Sequence, residues 1–260
     1  MLDQAFLEWL RSTTEARWAD PALRAAAGIG LGEPAWQPET RWRGGITRSD
    51  LNIVEAMFSV RLPASYRRFL ATLHTPDPPL VAVQTRGGRL ARVEVRLFTD
   101  WTGATTPVIG AIEQPLDGLL RGVMLGRWHP AWGQRPDDER QRGLAVRRLA
   151  AAGPRLIPFA VGHYLVATDG NDDGPILAVH GADAAVIAPD LRGGLLRELG
   201  LADPDRSDAA AEGEATRRRA ADADTAFGLA GQGSGDRRIP FWGDVIDGVP
   251  WHSQQAPVLA

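Results

Sequence analysis

The sequence predicts an α+β fold, a largely antiparallel sheet packed with helices, and two observations carry that prediction. Segments with a helical period and segments with a period of two fall into separate runs rather than alternating strictly. Late in the chain, "RLIPFA", "HYLVAT", "PILAVH" and "AAVIA" are short apolar runs rich in β-branched and aromatic residues, bounded by Gly and Pro, as strands are. A chain of 260 residues also buries enough surface for one sizeable core without staples.

Each element has its own signal. Residues 2–18 place Leu2, Phe6, Trp9 and Leu10 at helical spacing, with "ADP" at 19–21 as the stop. Thr47 and Asp50 have capping-box spacing, and Leu51, Val54, Met57 and Phe58 recur at helical intervals behind them. Pro63 suits the first turn of a second helix, whose stripe is Tyr66, Phe69, Leu70 and Leu73. From Leu80 the period changes to two around a Gly-Gly turn, with Val93, Val95 and Leu97 facing one way, which predicts a hairpin. "PLDGLLRGVMLGRWHPAWGQRP" reads as mixed and loop-rich. "DDERQRGLAVRRLAAAGP" reads as a helix opened by acidic residues and closed by Gly153 and Pro154, and "DLRGGLLRELG" as a last core helix.

Residues 1–200 are expected to form a single domain, 201–236 a polar linker, and 237–260 a C-terminal segment that docks back. The docking is expected because Ile239, Phe241, Trp242, Val245 and Ile246 are too apolar for a free tail. No internal repeat is visible. There is no cysteine, which excludes disulfides, thiol catalysis and the usual structural zinc sites. The N-terminal stretch lacks the basic start and apolar run of a signal peptide, and no span reaches transmembrane length, so a cytoplasmic location is expected. A net charge of −3 argues against tracking a phosphate backbone. Every basic residue is arginine, a pattern attributed first to genome composition. The helix pair at 47–73 is therefore read as packing on a sheet rather than reading DNA.

Three motifs invite chemistry. "DGNDDG" at 169–174 matches the first half of a calcium loop, but the twelfth position is His180 rather than a carboxylate, and the flanks are strands, so a turn is expected. His163 and His180 flank that hairpin and could hold a metal only with Asp169 or Asp173, which would sit at the opposite end. "GIGLGEPAW" at 28–36 imitates a dinucleotide loop with no strand before it. No hydrolase, metalloprotease or Walker pattern is present, so no catalytic residue, no metal and no cofactor is assigned. Trp128, His129 and Trp132 lie on an irregular stretch with Pro130 and Gly133, where aromatic anchors for a protein partner are common.

The order of motifs resembles the SUKH superfamily, the Smi/Knr-like domain, in a bacterial member. The resemblance rests on "RLPASYRRFL", then "RWHPAWGQRP", "PRLIPFAVGHYL", "GPILAVHGADAAVIAPDL" and "RRIPFWGDVI", and covers residues 42–200 and 237–247. Its signature positions are Leu62, Pro63, Ser65, Tyr66, Arg67, Phe69 and Leu70, with Phe241 and Trp242 in the last motif. "LHT" stands where many members carry Asn-Gly or Asp-Gly. The resemblance implies a non-catalytic protein-binding module, foremost an immunity-type protein that neutralises a cognate toxin domain. An intracellular scaffold binding an endogenous protein is the alternative, and an unrecognised enzyme ranks behind both. Trp128, His129 and Trp132 are then the expected anchors, and Asp169, Asp172 and Asp173 the expected steering charges. Neither nucleic acid nor membrane is expected as a partner, and the oligomeric state is open.

Overall fold

The computed structural model describes residues 2–26, 36–86, 89–167, 174–205 and 239–248. Its centre is a four-stranded antiparallel meander, β5 (Leu156–Ala160), β6 (His163–Val166), β7 (Ile176–His180) and β8 (Asp183–Ala188), hydrogen-bonded in chain order. The four strands are those the apolar runs predict, and the α+β class holds. Because side chains alternate across a pleated sheet, each strand feeds two cores. Ile157, Phe159, Leu165 and Ile176 enter one; Leu156, Tyr164, Val166, Leu177 and Val179 enter the other.

The first core is closed by helices from both ends of the chain. α1 (Gln4–Ala19) starts on the Asp3 cap and contributes Phe6, Leu7, Leu10 and Trp18. A short helix, α2 (Pro21–Ala26), begins where the sequence marks a stop, because proline is at home in a first helical turn. α3 (Arg48–Phe58) is capped by Thr47 and buries Leu51 and Val54, while Ile53 and Met57 face solvent. α4 (Ala64–Thr72) follows Pro63 and buries Tyr66, Phe69 and Leu70 completely. α7 (Leu191–Glu198) adds Leu191, Leu195 and Leu196. A two-residue ribbon of β1 (Arg41–Trp42) and β2 (Pro76–Asp77) is fixed to α1 by a bond of 2.8 Å from Trp42 Nε1 to Thr14 Oγ1. The expected hairpin is present as β3 (Leu80–Arg86) and β4 (Arg89–Val95), paired in register from Leu80 with Val95 to Arg86 with Arg89.

One expectation is overturned. The first ten residues of the stretch read as loop-rich, 115–124, belong to α5 (Thr105–Met124), a helix of 20 residues, while the rest of that stretch is loop and a single 3-10 turn. Pro115, Gly118 and Gly122 hid it, since each lowers helix propensity, but tertiary burial overrides propensity here: all three are buried, along with Val108, Leu119, Leu120 and Val123. The helix is long enough to give Val108 to the first core and its C-terminal half to the second. α6 (Glu139–Ala152) has Asp138 as its cap and ends at Gly153.

The second core is completed by the C-terminal segment. α8 (Trp242–Ile246) packs on the sheet, with Phe241, Trp242 and Val245 buried and a bond of 3.0 Å from Trp242 Nε1 to the carbonyl of Pro154. Phe241 holds a left-handed backbone, φ 63°, which a bulky residue adopts only when its surroundings fix it. Residues 206–238 and 249–260, which include most of the expected linker, lie outside the described residues. No helix among the described residues is long and apolar enough to cross a membrane.

Truncating Trp242 to Ala is expected to lower stability by about 3–5 kcal/mol, read as a reduced urea midpoint. An unchanged midpoint would mean that the segment rests on the second core without holding it.

Candidate functional site

The loop between α5 and α6 is built by its sequence rather than left irregular. At the end of α5, Gly126 takes φ 105°; its N–H bonds to Val123 O at 3.1 Å, and the N–H of Arg127 bonds to Gly122 O at 3.0 Å. That pair of bonds is a Schellman motif, which needs a left-handed residue and so selects glycine. His129 Nδ1 then accepts from the Ala131 N–H at 3.2 Å, starting a single 3-10 turn over Pro130–Trp132, and Trp128 Nε1 donates to Gly133 O at 2.8 Å.

The three expected anchors are therefore neighbours. Trp132 meets Trp128 edge to face at 5.5 Å and His129 at 6.0 Å, and on another side stacks on Phe241 at 5.6 Å. All three are half-buried, and the indole N–H of Trp132 is buried without a partner among the described residues. Trp132 thus couples the loop to the docked C-terminal segment. Three apolar side chains at the adjoining helix ends are exposed: Met124 is 40% exposed, Leu125 71% and Leu144 40%. Met124 Cε lies over Gly143, at 3.6 Å from where a Cβ would stand, so the end of α5 and the start of α6 share one face. The remaining predicted partner-binding residues, Asp169, Asp172 and Asp173, lie outside the described residues, as does the DGNDD part of the expected turn. The strands beside it do pair antiparallel.

The signature residues have a different place. Leu62, Tyr66, Phe69 and Leu70 are buried in the first core, and Phe241 and Trp242 in the second. Pro63 stands at the N-cap of α4. They shape the scaffold and offer little surface to a partner.

Two histidine and carboxylate pairs occur among the described residues. His163 Nδ1 lies 2.7 Å from Glu198 Oε1, at an angle outside hydrogen-bond geometry. His74 Nε2 lies 3.5 Å from Asp100 Oδ1, within a network that sequence spacing does not show. Arg43 reaches Asp100 at 2.8 Å and Asp77 at 3.3 Å, and Arg96 reaches Asp77 at 3.1 Å. Burial holds the His74 imidazole down at about 4, against the pull of Asp100 and with the help of Arg43 and Arg96. It is neutral near pH 7, so its contact with Asp100 is not an ion pair there. Burial raises the Asp100 carboxyl, but Arg43, His74, Arg96 and the Thr102 hydroxyl together bring it below its ordinary value. At 2% exposure His74 is closed to any substrate. Its backbone φ of 65° lies in the left-handed region that Gly and Asn adopt more readily than His.

Among the described residues no group of three or more histidines and carboxylates is placed to hold a metal ion. A second feature that the sequence reading missed is a groove of about 310 Å³ between α5 and the β7–β8 turn, lined in part by Arg121, Leu125, Arg127 and His180. The pair Gly118 and Gly122 was its one visible signal.

No family model, no curated protein and no solved structure matches the chain.

The polar network predicts acid sensitivity. His74 binds its proton in the unfolded chain near pH 6.5 but in the fold only near 4, so the unfolded state holds more protons between those values. Stability is then full above about pH 6.5 and falls by up to about 3 kcal/mol toward pH 4. Asp100, with its depressed folded value, adds a further loss as pH falls through the ordinary carboxylate range. Urea unfolding at several pH values should give His74→Asn a flatter profile from pH 6.5 to 4.5; an undiminished slope in that variant would assign the sensitivity elsewhere.

Proposed function

We propose that this chain is a non-catalytic, cytoplasmic protein-binding module of the immunity type, which neutralises a cognate toxin domain by covering its working surface. The observation that carries the proposal is the set of exposed apolar side chains where α5 ends and α6 begins, Met124, Leu125 and Leu144, on either side of the loop that holds the half-buried Trp128 and Trp132. Aromatic anchors set on a supported loop and flanked by exposed apolar side chains are what a tight protein contact uses, and inhibition by occlusion requires no reacting group. The order of sequence motifs, which resembles the SUKH superfamily, selects immunity over other binding roles. Burial of that family's signature aromatics leaves the exposed loops free to vary with the partner.

In this reading the loop residues give affinity and the acidic run at Asp169, Asp172 and Asp173 steers approach to a basic partner. The test begins with the neighbouring gene, where a secreted protein with a variable C-terminal domain is expected. Co-expression with that domain should protect the cell. Trp128→Ala should hasten dissociation about tenfold or more, while charge reversal at the three aspartates should mainly slow association. A cell killed equally with and without this chain would contradict immunity and leave the scaffold role.

A further inference from the structure

α5 meets the backbone of the β7–β8 turn directly at Gly118 and the methyl group of Ala182 at Gly122. A Cβ on Gly118 would stand 2.0 Å from Gly181 O, and one on Gly122 would stand 2.3 Å from the Ala182 Cβ, so neither glycine can be replaced without moving the helix. Arg121 and Leu125, one helical turn apart, form the adjacent row and rise as one wall of a groove of about 310 Å³. His180, Gly181 and Ala182 form the other wall, and Arg127 is tied to Asp183 at 2.6 Å.

The charges in this groove are unbalanced. Asp183 is offset by Arg127, whereas Arg121 and His180 are exposed and have no hydrogen-bond or ion-pair partner among the described residues. The walls between these donors are glycine, alanine and the side chain of Leu125, which is 71% exposed. A guanidinium beside an apolar surface selects a planar anion carried on a carbon stem: it binds carboxylate through two parallel bonds, and the stem covers the leucine.

We infer that this groove is a docking site for an acidic side chain of a protein partner, an Asp or Glu next to an apolar residue that covers Leu125. The inference rests on the protein-binding reading and names the chemistry of one contact. Arg121 holds the carboxylate, His180 supplies a second donor, and the Arg127 and Asp183 pair closes the site against longer acidic runs. A partner that meets both this groove and the acidic run at 169–173 carries an acidic patch as well as a basic one.

The full chain, labelled with nitrogen-15, is titrated at low salt with the peptide acetyl-Ala-Leu-Glu-Leu-Ala-amide, with its Gln counterpart, and with butyrate. Saturating amide shifts at Arg121, Gly122, Gly181 and Ala182 are expected for the Glu peptide, in the millimolar range. The Gln peptide and the Arg121→Ala variant should each bind about fivefold more weakly or worse, and Leu125→Ser should also weaken binding. Both substituted side chains are exposed, so the variants should keep the parent melting temperature. Equal binding of the Glu and Gln peptides, indifference to Arg121→Ala, or no saturable shift would overturn the inference. Butyrate binding as tightly as the peptide would also overturn it, since the groove would then be a small-carboxylate pocket. Protection in co-expression together with a silent peptide titration would remove this inference alone, whereas a responsive groove without protection would remove the immunity role alone.

Discussion

The hydroxyl of Tyr66 is the point on which the first core depends. It donates to the carbonyl of Pro158 at 3.0 Å and accepts from Trp101 Nε1 at 3.0 Å, joining α4, the loop before α5 and the outer strand of the sheet. The residue is fully buried, and burial pushes its phenol well above the ordinary value, so it remains a neutral donor. Removing either partner would leave a polar group in an apolar interior, where unmade bonds cost more than made ones contribute. Phe69, Trp101 and Phe159 surround the ring at 6.0–6.4 Å, so the bond sits inside a packed aromatic cluster.

That bond fixes β5, and β5 fixes the rest of the sheet. Pro158 cannot donate to a ladder and belongs on an edge, which is where β5 lies in the meander. The exposed edge is then covered: Thr99 N–H bonds to Phe159 O at 3.1 Å, and Val161 N–H to Leu97 O at 3.0 Å. With the edge closed, both faces of the sheet are free to bury side chains. α5 runs from one core to the other, and the second core places the Trp128 and Trp132 loop where α5, α6 and α8 meet.

How much of this was legible in the sequence follows from how local each signal is. The helical stripes from Phe6 and Tyr66, the capping-box spacing at Thr47 and the acidic opening of the helix before Gly153 act within one or two turns, and they marked α1, α4, α3 and α6. The tight apolar runs marked the strands. α5 escaped because Pro115 and its glycines are tolerated only through burial by distant residues. The network of Arg43, His74, Asp77, Arg96 and Asp100 escaped because its members come from separate elements with no fixed spacing. At the candidate site, proximity in sequence foretold the contact of Trp128, His129 and Trp132, but not the stacking of Trp132 on Phe241, more than a hundred residues later.

The measurement that tests this account most directly is a double-mutant cycle of Tyr66→Phe and Trp101→Phe by urea unfolding. If the hydroxyl joins these elements as described, the two losses are strongly non-additive, with a coupling of about 1 kcal/mol or more. Losses that add to within about 0.3 kcal/mol would show that the two side chains act independently, and would contradict the central place given to this bond.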